Sequence, residues 1–176
     1  QVVYYFFSFF KLPQSVETIS FSVPSGNFGN IFAGYIAKKL GLPIKHLIVA
    51  TNENDILNRV IQTGVYKKGK VFKTISPSMD IQISSNFERL IFDLFEKDHF
   101  IIKNFMNNLK NNGEFTIEDL FAKKLRKVFF SGSTNELQTK YTLRNIYDTY
   151  QELVCPHTAV GLKVTNDYIK KYKSKW

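Results

Sequence analysis

The residues best placed to do chemistry in this 176-residue chain are Ser25, Gly26, Asn27, Phe28, Gly29 and Asn30. Two glycines spaced Gly-x-x-Gly let a backbone approach an anion without interference from Cβ atoms. An apolar run ending in Val23 and Pro24 precedes them, and a helical pattern follows. A strand, a glycine-bearing turn and a helix N-terminus in that order favour phosphate, because free N–H groups and the helix dipole converge there. No Lys follows the second glycine, so the loop is not a P-loop. Neither is it the dinucleotide fingerprint, which needs a third spaced glycine and an acidic residue about 20 positions on. A lone Gly-x-x-Gly favours an ordinary strand-to-helix turn, and it is the whole context that raises the functional reading.

The elements that must position this loop can be read from periodicity. Phe32, Ile36 and Leu40, with Ala33 and Ala37 beside them, predict an amphipathic helix stopped by Gly41 and Pro43. Residues 44–50 predict a buried strand, and 51–55 a turn that caps a helix carrying Ile56, Leu57, Val60 and Ile61, ended by Gly64. Strand alternating with helix argues for a parallel sheet with helices on its faces. Residues 1–10 read as a core helix that begins mid-element, because they lack the basic n-region and cleavage site of a signal peptide. Residues 67–73 form a basic loop leading to a short strand, and 76–83 are irregular or extended.

Ser85-Asn-Phe-Glu88 and Ser133-Thr-Asn-Glu136 each have capping-box spacing. Helical faces follow at Phe87, Leu90, Ile91, Leu94 and Phe95, and at Leu143, Ile146, Tyr147 and Tyr150. Between them, Ile102, Phe105, Met106 and Leu109 mark a helix that halts at Asn111-Asn-Gly113. Thr116-Ile-Glu-Asp119 opens a short helix, residues 128–130 a strand, and 158–176 a last helix with a basic tail.

Hydrophobic content of 44%, with 17 Phe and 9 Tyr, makes the chain globular, and its length supports one core. No apolar run is long enough to span a bilayer. The single Cys155 forbids an internal disulfide and fits a reducing cytoplasm. The formal charge of +9 raises nucleic acid as a partner. Only Arg59, Arg89, Arg126 and Arg144 of the 24 basic residues are Arg. The Lys excess accompanies Asn, Ile and Phe, as an AT-rich coding sequence yields. Apart from Lys67, Lys68 and Lys70 and the tail Lys170, Lys171, Lys173 and Lys175, the lysines are scattered. A solvated basic surface therefore ranks above a nucleic-acid site. His46 and His99 stand apart from any ligand-type cluster, which argues against a metal site.

Three segments, in order, resemble threonine synthase, of the pyridoxal-phosphate-dependent, tryptophan synthase β-like (fold type II) family. They are Val23-Pro-Ser-Gly-Asn-Phe-Gly-Asn30, Ser76-Pro-Ser-Met-Asp-Ile-Gln-Ile-Ser-Ser-Asn-Phe-Glu-Arg89 and Pro156-His-Thr-Ala-Val-Gly161. The opening Val2-Val-Tyr-Tyr-Phe-Phe7 looks like the helix before the loop in that family. The resemblance covers essentially the whole chain. It implies a three-layer α/β unit, with a mostly parallel sheet, helices on both faces and an incomplete N-terminal side. It also implies one partial domain over residues 1–176, with a helical insertion around 97–125.

The reaction implied converts O-phospho-L-homoserine and water to L-threonine and phosphate, with pyridoxal 5′-phosphate as electron sink. The family's phosphate cup falls on Gly26, Asn27, Phe28, Gly29 and Asn30. Thr158 falls where the family places a hydroxyl near the pyridine nitrogen; by itself it reads as a helix cap. Ser78, Asp80 and Asn86 fall on a wall of the substrate pocket, although turn and capping chemistry explains that stretch equally. His157 is expected to order the loop, and Arg89 to meet a carboxylate. Cys155 stands where an acidic residue is expected in many relatives.

The family's Schiff-base lysine lies upstream of the cup, in a Phe-Lys-Asp context that no lysine here shares. The expectation is a C-terminal piece of a cytoplasmic enzyme, inactive alone, partnered by the missing N-terminal portion and admitting a homodimer. A related phospholyase, a noncatalytic phosphate-binding fragment and, last, a basic nucleic-acid-binding domain are the competing readings.

Overall fold

The computed structural model describes residues 1–173, so Lys175 and Trp176 of the expected tail lie outside the described residues. The chain runs α1 (Val2–Phe10), β1 (Ile19–Pro24), α2 (Gly29–Lys39), β2 (Ile44–Thr51), α3 (Ile56–Thr63) and β3 (Val65–Lys67). A 3-10 turn at Pro77–Met79 leads to α4 (Phe87–Leu94), α5 (His99–Asn112), β4 (Glu114–Thr116) and α6 (Asp119–Val128). Then come β5 (Phe129–Ser133), α7 (Glu136–Tyr150) and α8 (Pro156–Tyr172).

Strands β1, β2 and β5 form a parallel sheet in that order, with central Leu47 paired to Phe21 and Phe129. Side chains alternate across a strand, and β2 uses that alternation to serve two cores. Leu47 and Val49 join Phe28, Ile31, Val60, Ile61 and Phe129 on the face covered by α2, α3 and α6. Ile48 and Ala50 join Val160, Val164 and Tyr168 of α8 on the other. This is the three-layer α/β arrangement expected. Burial of β2 on both faces is why residues 44–50 read as an almost unbroken apolar run.

A second sheet pairs β3 with β4 antiparallel, Tyr66 opposite Phe115. Tyr66 stacks between Phe87 and Phe115, at ring separations of 5.4 and 4.8 Å, and its hydroxyl accepts from the Ser84 N–H at 2.7 Å. Gly64 (φ 79°) and Gly113 (φ 76°) end α3 and α5 in the left-handed conformation, the ordinary role of glycine after a helix.

Several local expectations are corrected. Helix α1 lays only one side on the core: Tyr5 is buried, with Val2, Phe6 and Phe9 half-buried against the core, while Val3, Tyr4, Phe7 and Phe10 are exposed. In α2 the buried face is Ile31, Ala33, Gly34 and Ala37, and Leu40 is 66% exposed. The cause is close packing, since a Cβ on Gly34 would stand 2.7 Å from both Tyr5 and Leu47. Neither predicted capping box forms. Asn86 makes no side-chain cap to α4, and the box of α7 runs instead from Asn135 to Gln138. Helix α7 buries Thr139 and Thr142 and leaves Tyr147 and Tyr150 exposed. The strand expected after the basic loop precedes it, as β3. Residues 97–125 hold α5, β4 and most of α6.

Candidate functional site

The parallel strands end at one edge of the sheet, where loops gather as they do at ligand sites of open α/β sheets. The N–H of Ser25 donates to the Ala50 carbonyl at 2.8 Å, and that of Thr134 to Thr51 at 3.0 Å, knitting this edge together. From Ser25 the chain turns into α2 through Phe28, whose φ of 64° is left-handed. That conformation costs a non-glycine residue roughly 1–2 kcal/mol. The compensation is burial: the Phe28 ring is 1% exposed and packs edge-on to Phe87 at 5.4 Å and against Phe129 at 5.8 Å. Phe28 is the peg of the loop, and its side chain is unavailable to any ligand.

The loop is polarised. Three of its carbonyls are held by the protein. Asn27 O accepts from the Asn86 N–H at 3.2 Å and from Asn86 Nδ2 at 2.8 Å. Phe28 O accepts from the Phe32 N–H at 2.9 Å, and Asn30 O from the Tyr5 hydroxyl at 2.6 Å. Burial pushes the Tyr5 hydroxyl up to about 12, so it stays a donor. The N–H groups of residues 26–31, by contrast, donate to no partner among the described residues. The first turn of a helix leaves such donors free, and no acidic residue stands in the first turn of α2. Unmet backbone donors at a helix N-terminus suit an anion.

The two glycines differ. A Cβ on Gly26 would stand 2.9 Å from the Ser78 carbonyl oxygen and 3.3 Å from Met79 Cα, so Gly26 admits the backbone of residues 78–79. A Cβ on Gly29 would meet only Asn86 Nδ2, at 3.5 Å, and Gln1 at 3.9 Å. Gly29 leaves space that the protein itself does not use.

Among the predicted wall residues, Asp80 is engaged within the protein. Its Oδ1 accepts from Asn52 Nδ2 at 2.7 Å, Asn54 Nδ2 at 3.1 Å and the Thr74 hydroxyl at 2.7 Å; Oδ2 accepts from the Thr74 N–H at 2.8 Å. Asn52, Asn54 and Ser76 are buried around it. Ser78 contributes its backbone against Gly26, and Asn86 reaches Asn27. Arg89 is exposed. The scaffolding roles of Asn52, Asn54 and Thr74 escaped the sequence reading, which saw only a turn at 51–55. The available signal was the clustering of Asn with Asp there.

Helix α8 opens at the same edge. Gly161 stands so close to Pro24 that a Cβ would meet it at 3.0 Å, bringing the start of α8 onto the end of β1. Thr158 is exposed and borders a groove of about 810 Å³ that Ser22, Pro24, Ile48 and Gly161 also line. Its Oγ1 lies 3.3 Å from Cys155 Sγ, and His157 Nδ1 lies 3.9 Å from the same sulfur. Contacts from Thr158 first, and then from His157, favour the thiolate and bring the Cys155 thiol down to about 7. The opposite nitrogen of His157, Nε2, is buried without a partner among the described residues.

No family model matches the chain. It is similar to threonine synthase of Pseudomonas aeruginosa, 42% identical over 167 residues, which are 95% of this chain and 36% of the relative. Its fold is similar to the crystal structure of yeast threonine synthase, with a TM-score of 0.93 and 41% identity over 98% of this chain and 37% of that one. It is also similar to the pyridoxal-phosphate-bound threonine synthase of Brucella melitensis, with a TM-score of 0.91 and 45% identity over 94% and 36% of the two chains. The architecture is therefore that of the tryptophan synthase β-like, fold type II class. Within that class the chain belongs to the threonine synthase family, and it spans little more than a third of the length of the relatives it matches.

Proposed function

We propose that these residues form the phosphate-holding part of a threonine synthase, which converts O-phospho-L-homoserine and water to L-threonine and phosphate. The observation that carries this reading is the polarity of the loop: the carbonyls of Asn27, Phe28 and Asn30 held, the N–H groups of residues 26–31 without a partner among the described residues. Pyridoxal 5′-phosphate, when bound, supplies the electron sink for removal of substrate protons. The backbone of Gly26, Asn27, Phe28, Gly29 and Asn30 would hold its 5′-phosphate. The Thr158 hydroxyl would face the pyridine nitrogen; as a neutral partner it need not keep that nitrogen protonated. The stretch carrying Ser78, Asp80 and Asn86 would back the pocket, with Asp80 stiffening it from behind.

The cofactor-bearing lysine is assigned to a part of the protein outside these residues. That portion is proposed as the partner of this one, residues 97–125 as a helical insertion, and the assembly as a cytoplasmic enzyme that admits a homodimer. Among the described residues no helix is long and apolar enough to cross a membrane.

The test is an assay of threonine and phosphate release from O-phospho-L-homoserine, with pyridoxal 5′-phosphate present. The natural full-length protein is expected to release both in equal amounts, and residues 1–176 alone to release neither. Steady phosphate release by residues 1–176 would refute the assignment of the lysine elsewhere. A full-length protein that releases phosphate only from a different phosphorylated amino acid would point to a related phospholyase.

A further inference from the structure

We infer that Asn86 is a positioning residue of the anion cup, acting through the Asn27 carbonyl rather than by touching the ligand. The inference rests on the cup reading above and adds how the cup keeps its shape. Two donors of one residue, the Asn86 N–H at 3.2 Å and Nδ2 at 2.8 Å, converge on a single oxygen. In a trans peptide the C=O and the following N–H point in opposite directions. Fixing the Asn27 carbonyl toward Asn86 therefore turns the Phe28 N–H away from it, to the side on which that N–H has no partner among the described residues.

The lock has something to oppose. A half-turn of the Asn27–Phe28 peptide would carry Phe28 out of its left-handed φ of 64°, a conformation unfavourable for a side chain with a Cβ. Such a turn leaves the neighbouring Cα atoms in place, so the buried Phe28 ring does not prevent it. It would withdraw one donor and present a carbonyl oxygen to the bound anion. Without the two Asn86 bonds, nothing else described holds this oxygen: Asn27 O has no other protein donor among the described residues.

The experiment uses the full-length protein with Asn86→Ala and the near-isosteric Asn86→Asp. Spectroscopic titration measures binding of pyridoxal 5′-phosphate and of pyridoxal, which lacks the phosphate. Circular dichroism confirms that each variant is folded. Asn86→Ala should weaken pyridoxal 5′-phosphate binding roughly ten-fold, about what losing bonds that orient one donor costs, and leave pyridoxal binding unchanged. Asn86→Asp should weaken it at least as much at pH 8, because a carboxylate cannot donate to the Asn27 carbonyl. An equal loss for both ligands, or no loss in either variant, would overturn the role of Asn86 alone. Equal binding of the two ligands by the unsubstituted protein would overturn the cup reading and this inference with it.

Discussion

Two polar stretches meet at the carboxyl edge of the parallel sheet, and they use their hydrogen bonds in opposite ways. Residues 74–82 turn inward. Asp80 accepts four bonds from Asn52, Asn54 and Thr74, and Ile75 N–H donates to Glu136 Oε1 at 2.7 Å. The loop 26–30 is pinned by the buried Phe28 ring and by its carbonyls, and leaves its donors open. The comparison teaches where to look for a ligand. The stretch richer in charged and hydroxyl side chains is scaffold, while the stretch with little side-chain chemistry has the unmet capacity. Buried polar groups are normally satisfied, so a run of free N–H groups on an otherwise well-packed loop is the more informative feature.

The sharpest way to break this comparison is to remove the scaffold. Asp80→Ala removes four accepted bonds and leaves the Thr74 N–H with no other acceptor among the described residues, while Asn52 Nδ2, Asn54 Nδ2 and the Thr74 hydroxyl keep other partners. An unmet donor costs on the order of 1–3 kcal/mol, so a loss of about 2 kcal/mol is expected in urea unfolding. Asp80→Asn keeps one acceptor oxygen and should lose less. If Asp80→Ala unfolds like the unsubstituted protein but loses substrate binding, the assignments of scaffold and wall are reversed.

The two glycines separate the same two roles within one loop. Gly26→Ala drives a Cβ against the Ser78 carbonyl and Met79 Cα, both backbone atoms that cannot swing aside. Overpacking of this kind typically costs 1–3 kcal/mol, and about 2 kcal/mol is expected here with or without a ligand. Gly29→Ala has space and starts a helix, so its stability should shift by no more than about 0.5 kcal/mol, in the stabilising direction. Its effect should fall on ligand affinity: a methyl group beside the free N–H groups should weaken pyridoxal 5′-phosphate roughly ten-fold. Equal melting temperatures for the two variants would erase the distinction.

How much of this was legible in the sequence follows from how local each feature is. The strand–loop–helix of residues 19–39 is contiguous, so the apolar run, the glycines and the pattern after them sufficed to read a strand, a turn and a helix there. Strand β2 announced itself by burial on both faces. The Asp80 network joins residues more than 20 positions apart, and no spacing rule connects Asn52 with Asp80. The helical stripes on α2 and α7 misled because apolar periodicity says that a face is apolar, not that another element covers it. In α2 the surface that packs is the one made of Ala33, Gly34 and Ala37, where small side chains permit close approach to Tyr5 and Leu47. Strands β3 and β4 are three residues each, too short for a period of two to register. At 85–88 and 133–136 the residues that make the bonds are the neighbours of the predicted box Ser residues: Asn86 reaches Asn27, and Asn135 forms the box with Gln138.

Thr158 lies between the two patterns, and the smallest expected effect decides which it follows. Its hydroxyl is neither free nor buried in a network, but 3.3 Å from the exposed Cys155 sulfur. Contacts from Thr158, then His157, favour the charged form, so the thiol is ionised above about pH 7 in the fold, below the ordinary thiol range. The sign follows: a group depressed by folding adds stability above its unfolded value, and that contribution disappears as pH falls through 7. Because the thiolate is the nucleophile, alkylation by iodoacetamide should rise with a midpoint near pH 7. Thr158→Val should move that midpoint upward, toward that of an ordinary cysteine. Adding pyridoxal 5′-phosphate to the full-length protein should do the same if the hydroxyl leaves the sulfur for the pyridine nitrogen. A midpoint that moves with the substitution but not with the ligand would make Thr158 a fixed part of the helix start, in the manner of the Asp80 network. A midpoint that moves with both would group it with the open donors of the cup.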